Sequence, residues 1–279
     1  MIPDLQRVAD VIREVAEREL VPHFVTLSAE DIGEKTPGDF VTAVDLAMEK
    51  ALADALVPLL PGSLVVGEEA VHDDRGILAL LEGDAPVWVL DPLDGTGNFA
   101  QGLPIVAVIV ALVIKGETVA GWIYDPLNGR MAIAGKGEGA FMGSHRLKVA
   151  RPAEDRSLNG SIYGRFVRLS EPYQRIWGRG RGSLGNVFNA RCVGQEYLAR
   201  IKGRMHFGVY TRMNPWDHAA GFLLHQEAGG IARMGDGSDY RPAERGFVCL
   251  LTPDEDLWQT MHEQLIKPAM AEEAARAKQ

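Results

Sequence analysis

The chain has 279 residues, 46% of them hydrophobic and 24% charged, with a formal net charge of −9 at pH 7. That length supports one large or two smaller packed units, and the acidity argues against nonspecific nucleic-acid binding, which needs a basic surface to displace counterions. No apolar run reaches the roughly twenty residues that span a bilayer and no secretory leader opens the chain, so the expectation is a cytoplasmic protein with no membrane and no nucleic-acid partner. Cys192 and Cys249 have neither zinc spacing nor a disulfide framework and are expected to be reduced and structural.

In chain order, Leu5, Val8, Val11, Ile12, Val15 and Leu20 fall at helical spacing before Pro22 and predict an amphipathic helix. Phe40 to Leu60 predicts a second helix, with Asp39 as N-cap and Pro61–Gly62 as its stop, carrying Thr42 and Asp45. Ser63 to Val66 is a short strand delivering Glu68 and Glu69, and Val71 to Glu82 is a polar excursion suited to a lid or surface loop. Val87 to Leu90 is a buried strand that Pro92 is expected to stop at Asp91. Ile105–Ile114, Val119–Tyr124 and Met131–Ala134 predict three meandering strands. Gly135–Ala140 (GKGEGA) fits a dinucleotide fingerprint in spacing but leads into the hairpin-like FMGSHRLKV instead of a helix, and is rejected.

A composition shift at Val149–Ser157 divides the chain into an N-terminal α+β half, 1–149, and a C-terminal α/β half, 150–268, before a charged helical tail, 269–279. In the second half Gly178–Gly185 is glycine-rich. Arg179 and Arg181 there, with Arg165, Arg168 and Arg175 before them, read as a solvated surface in preference to a phosphate-steering one. Gln195–Lys202 is helical in pattern and His206–Tyr210 a strand. Trp216 and Asp217 precede a helix over Ala219–Glu227, whose Ala and Gly positions allow close packing. His218 and His225 lack a third ligand at zinc spacing and read as structural or rim residues.

The chemistry concentrates in Trp88–Gln101, WVLDPLDGTGNFAQ. Asp91 and Asp94 sit three apart across a stiff turn, where two carboxylates that converge raise each other's pKa unless a hard cation lies between them. The Leu93 carbonyl can add an oxygen ligand. Asp94, Gly95 and Thr96 predict the cap and first turn of a short helix, whose free N–H groups attract an anion. Each residue alone is more simply part of an Asp-rich turn; the whole string is more specific.

Four blocks together resemble the inositol monophosphatase family of metal-dependent, lithium-sensitive phosphatases. They are DFVTAVDLAMEK at Asp39–Lys50, GEE at Gly67–Glu69, WVLDPLDGTGNF, and PWDHAAGFLLHQEAGG at Pro215–Gly230. The resemblance implies an α+β chain in a layered αβαβα sandwich, a homodimer, and a small phosphorylated alcohol or sugar as substrate. It implies two to three Mg2+ ions, with Mn2+ as a substitute and Li+ as inhibitor. By position, Glu68, Asp91 and the Leu93 carbonyl would bind the first metal, and Asp91, Asp94 and Asp217 the second, with a weaker third near Glu68 and Glu69 in support. Thr96, paired with Asp45 and assisted by Glu68, would position and deprotonate the attacking water, while the Gly95 and Thr96 backbone holds phosphate oxygens. Displacement would be in line, with charge stabilisation as the main catalytic effect.

Departures from the family pattern fall on the substrate. Tyr210 stands where the inositol enzymes have a glutamate six residues before the tryptophan of the last block, and Gln195, Glu196 and Tyr197 replace small residues. Asp94, Gly95, Thr96, Asp217, Glu196 and Tyr210 are therefore the candidate substrate wall. Two alternatives are weighed against this. DPLDGT is similar to the DxDGT motif of haloacid-dehalogenase phosphatases, with Asp91 as nucleophile, but its spacing is one residue longer and that scheme has no role for GEE or PWD. A catalytically degenerate member acting as a binding protein is the other.

Overall fold

The computed structural model describes residues 2–26, 32–36, 39–152, 157–163, 184–244 and 246–276, with positions 167, 170, 171 and 173. A seven-stranded sheet has the order β3 (Leu64–Gly67), β4 (Val87–Asp94), β5 (Ala107–Ile114), β6 (Glu117–Asp125), β7 (Arg130–Gly135), β8 (Gly139–Met142), β9 (His145–Arg146). Only the β3–β4 pairing within it is parallel. The predicted meander is present as β5, β6 and β7, and the rejected glycine motif as the turn into β8 and β9.

The nearly unbroken apolar run of β5 has a simple cause: both faces of the strand are covered. Val108, Val110 and Leu112 join Trp88, Leu90 and Trp122 under helices α1 (Leu5–Glu19) and α2 (Ala43–Leu56). Ala107, Ile109, Ala111 and Val113 face the opposite way, into a core with α5 (Val193–Ile201) and α6 (Pro215–Glu227). The indole N–H of Trp122 donates to the Leu5 carbonyl at 2.9 Å and so pins α1 to the sheet without a buried polar orphan. A Leu→Ala change in either layer would cost about 2–5 kcal/mol.

The second sheet has five strands in the order β11 (Leu184–Phe188), β10 (Leu158–Ile162), β12 (Phe207–Tyr210), β14 (Cys249–Thr252), β13 (Ile231–Met234). One face contributes Tyr210, Ala232, Cys249 and Leu251 to the core it shares with α5 and α6. The other packs Ile162, Phe207, Val209 and Leu250 against α7 (Glu255–Met261) and the segment leading into α8 (Lys267–Arg276). Helix, sheet, helix, sheet and helix thus follow in layers, the αβαβα sandwich expected. The central core takes residues from both sides of position 149, so the two halves meet in one packed layer.

Several local expectations are corrected. Residues 39–42 are a strand, β2, paired antiparallel with β1 (Ile32–Thr36), and α2 begins at Ala43. Its cap is Thr42, not Asp39: the Thr42 hydroxyl accepts from Val44 N, and the Asp45 carboxylate accepts the Thr42 N–H at 2.8 Å, a reciprocal box. The excursion after Glu69 is helical, α3 (Glu68–Asp73) and then a 3-10 stretch to Glu82 that buries Leu81. Strand β4 does not stop at Asp91 but continues to Asp94, its pairing with β5 irregular between those two residues.

Candidate metal and phosphate site

In a regular strand, residues three apart point to opposite faces. The irregularity that Pro92 and Leu93 insert cancels that alternation, as a bulge does, and Leu93 N donates to Asp91 Oδ1 at 3.1 Å to fix the turn. Glu68 opens α3 at the end of β3, and Asp217 lies in the first turn of α6, which starts on Pro215. Carboxylate oxygens of Glu68, Asp91 and Asp217 come within 4.8 Å of one another. Asn214 Nδ2 donates to Asp217 Oδ2 at 3.0 Å.

This arrangement is electrostatically costly. Burial pushes Asp91 and Asp217 well above the carboxylate range, and the neighbouring acids push both further, with Arg212 pulling Asp217 partly back. Asp94 rises to about 6, again from burial, although Gly194 N donates to its Oδ2 at 2.5 Å and the Cys192 thiol at 3.2 Å. The donors are all hard oxygens, and their mutual repulsion is what a divalent cation of the magnesium class relieves. The residues therefore fit such an ion. Glu68, Asp91 and Asp217 would hold it; Asp94 is not among the three acids that converge but lies near enough to raise both aspartates, and the Leu93 carbonyl accepts from Thr96 Oγ1.

Next to the acids lies a proton-handling pair. Thr96 Oγ1 is 2.9 Å from both Asp45 Oδ1 and the Leu93 carbonyl oxygen, yet has one proton to give. Asp45 Oδ2 accepts from Thr42 N and from Thr42 Oγ1 at 2.6 Å, and burial raises the Asp45 carboxyl to about 6. An ionised Asp45 draws the Thr96 proton toward itself; a protonated one releases it to the carbonyl. Gly95, at φ +90°, is the cap of the short helix α4 (Thr96–Ala100). A Cβ there would fall 2.7 Å from the Ile105 carbonyl oxygen, so glycine is required.

Glu196 and Tyr210 are brought together, with Tyr210 Oη donating to Glu196 Oε2 at 2.6 Å. Both are buried. His218 and His225 are buried as well, lowered by burial to about 3 and about 4, and are neutral. His218 Nε2 lies 2.7 Å from the Arg212 carbonyl and Nδ1 3.0 Å from Tyr197 Oη, which fixes its ring. Both cysteines are free and buried. Arg165, Arg168, Arg175, Arg179 and Arg181 lie outside the described residues.

Sequence reasoning missed Glu49. Its carboxylate accepts from Glu69 N at 2.8 Å and Ala70 N at 3.0 Å and so caps α3 from a neighbouring helix. Gly67 makes room for it, since a Cβ there would lie 2.2 Å from the carboxylate. The available signal was spacing: Glu49 is one helical turn beyond Asp45 and shares its face. Glu49→Gln, which puts an amide nitrogen against one of those N–H groups, is expected to lower stability by about 1–2 kcal/mol in thermal melts. It should also weaken Mn2+ uptake about tenfold in calorimetric titration, because Glu68 rides on the helix end it holds.

Comparison with known proteins bears on family and fold. The inositol monophosphatase family profile matches residues 4–273. An inositol-1-monophosphatase of Caulobacter vibrioides is 32% identical over 264 residues, covering 90% of this chain and 96% of that protein. A protein named Nus factor SuhB, of Escherichia coli strain K12, is 33% identical over 224 residues, covering 76% and 78%. The solved structure of a Thermotoga maritima IMPase superposes with a TM-score of 0.75 at 25% identity, covering 95% of this chain and 97% of that one. With sequence matching nearly end to end and the layered fold in common, the chain belongs to the inositol monophosphatase family.

Proposed function

We propose that the protein is a magnesium-dependent phosphomonoesterase that hydrolyses a small alcohol or sugar phosphate. The observation that carries this reading is the approach of Glu68, Asp91 and Asp217 oxygens to within 4.8 Å in a setting that resists ionisation of the two aspartates. Bound divalent ions would supply charge stabilisation to the phosphoryl group and leaving oxygen and would make water acidic enough to attack near neutral pH. The chain's own groups do the rest. Gly95 and Thr96 N–H groups hold phosphate oxygens, and Thr96 with Asp45 orients the attacking water and takes its proton, since the two side chains form one hydrogen-bonded unit. Family membership supports the remaining expectations of a cytoplasmic homodimer with Mn2+ as substitute ion and Li+ as inhibitor.

The test is phosphate release from a panel of esters with Mg2+, then with Li+ added. Mg2+-dependent, Li+-suppressed release supports the proposal; none across the panel favours the degenerate binding-protein reading, for which the relative named as a Nus factor is the motive. Trapping of a phospho-aspartate at Asp91 would favour the haloacid-dehalogenase alternative; its 1% exposure speaks for ion holding instead.

Inositol 1-phosphate is expected to be a poor member of the panel, with kcat/KM at least about tenfold below the best ester. Position 210 has no carboxylate to accept polyol hydroxyls, and Glu196 spends both its oxygens on Tyr163, Tyr210 and the Ala190 N–H. Brisk turnover would place the polyol elsewhere.

A further inference from the structure

Behind Asp94 runs a chain of buried hydrogen bonds that points one way. Arg200 Nη1 donates to Ser161 Oγ at 3.1 Å, Ser161 Oγ lies 3.1 Å from Tyr210 Oη, and Tyr210 Oη donates to Glu196 Oε2 at 2.6 Å. From the other side Tyr163 Oη donates to Glu196 Oε1 at 2.9 Å, and Ala190 N donates to the same oxygen at 2.9 Å. Arg191 N in turn donates to Tyr163 Oη at 3.1 Å. Arg200 is fully buried and Glu196 is 1% exposed, so hydroxyl groups link a buried guanidinium to a buried carboxyl group. The guanidinium also lies 4.6 Å from the Tyr197 ring centroid and 5.2 Å from that of Tyr210.

All of this converges on the turn 189–194, and that turn grips the acidic site. Arg191 has φ +52°, a left-handed conformation costly for a residue with a side chain, which persists only where neighbours impose it. Ala190 and Arg191 present their carbonyls to Asn98 Nδ2 at 2.9 and 3.4 Å, just behind Gly95 and Thr96. Gly194 N and the Cys192 thiol both bond Asp94 Oδ2 and so hold that carboxylate, whose charge raises Asp91 and Asp217. A Cβ on Gly194 would fall 3.0 Å from that same oxygen.

We propose that Glu196, backed by Tyr163, Tyr210, Ser161 and Arg200, is a positioning residue: it imposes the shape of the 189–194 turn, fixes Asp94 through it, and so sets the affinity of the divalent-cation site. The inference rests on the metal-phosphatase reading above and gives the two departures from the family pattern, Tyr210 and Glu196, one joint purpose. A carboxylate at 196 needs a hydroxyl donor opposite, and Tyr210 is that donor. Both residues then act through the turn on every substrate alike, whatever alcohol is bound.

The experiment is calorimetric titration of the metal-free full chain with Mn2+, without substrate, for wild type, Glu196→Gln and Tyr210→Phe. Steady-state kinetics on p-nitrophenyl phosphate and glycerol 2-phosphate accompany it. Glu196→Gln is expected to weaken Mn2+ binding about tenfold and to lower kcat equally for the two esters, with KM for each within twofold of wild type. Tyr210→Phe keeps the ring against Tyr197 and His218 and should move both readouts the same way, by less. If Glu196→Gln does not fold, Tyr210→Phe decides alone. Mn2+ affinity within twofold of wild type in the folded variants overturns the proposal, whatever happens to melting temperature or to KM for one ester. A wild type that takes up no Mn2+ overturns the metal reading itself and this inference with it, a result distinguishable from the first.

Discussion

Asp91→Asn is expected to lower magnesium-dependent phosphate release by roughly a thousandfold or more and, at the same time, to raise the melting temperature of the metal-free protein. The asparagine amide has the same shape and its oxygen can still accept the Leu93 N–H, so the turn survives. What disappears is the ionisable group that burial and four neighbouring acids, Glu68, Asp94, Asp217 and Asp45, push well above its ordinary range. A carboxyl whose folded pKa exceeds its unfolded one favours folding less and less as pH rises from about 3.8 to the folded value. At pH 7 wild type carries the part of that penalty gathered above about pH 3.8, either as a buried charge or as a proton it must take up. The variant carries none of it, so its advantage should be about 1 kcal/mol or more at pH 7 and should vanish near pH 4. For a chain of this size each kcal/mol is roughly 2–4 °C. Parallel melts and phosphate-release assays check both halves; wild-type activity in the variant would remove Asp91 from the ion site.

The second large effect is the pH dependence of stabilisation by divalent cations. The carboxyls proposed as ligands must be ionised to bind, and burial raises all three, Asp94 to about 6 and Asp91 and Asp217 well above the ordinary carboxylate value. Lowering pH from 7.5 to 5.5 carries Asp94 through its value of about 6, which by itself weakens binding about fourfold, and the raised Asp91 and Asp217 act in the same direction. Mg2+ at a hundred times its pH 7.5 dissociation constant stabilises by about 2.7 kcal/mol there. The same concentration at pH 5.5 is worth about 1.9 kcal/mol from the Asp94 proton alone, and less with the raised Asp91 and Asp217. The Mg2+-induced shift in melting temperature, roughly 5–10 °C at pH 7.5, should be smaller at pH 5.5. His218 and His225, neutral in the fold down to about 3 and about 4, erode the baseline as pH drops through 6.5, where the unfolded imidazoles gain protons. They do so with or without Mg2+, so the difference between paired scans is free of them. An Mg2+ shift that is equal at the two pH values would contradict a site built on these carboxyls.

The sequence carried the layers and the acidic cluster unequally. Periodicity found α1 and the β5–β7 meander because each buries a continuous apolar stripe that depends on local spacing alone. Residues 39–42 misled it: the apolar pattern ran straight through a β-branched pair into α2, and the break is made by a side-chain box at Thr42 and Asp45 that periodicity does not register. Pro92 marked a real disturbance, but its effect was to bulge the strand and not to end it, since the β5 partner on the far side holds the ladder to Asp94. The acids of the site were visible as motif blocks. Their supports were less so: Gly194 and Cys192 meet Asp94 across a separation of about a hundred residues, and nothing local in RCVGQEY announces that contact.

One close approach in the fold reaches further than its place in the core suggests. Gly121 of β6 lies under α6 so tightly that a Cβ there would come within 2.9 Å of the Ala220 Cα. Ala220 is three residues along the helix from Asp217. The seat of Asp217, one of the ligands proposed, is thus set by a backbone-on-backbone contact far from solvent. Under the proposed function, a methyl group gained at position 121 would reach the reaction centre as a misplaced oxygen.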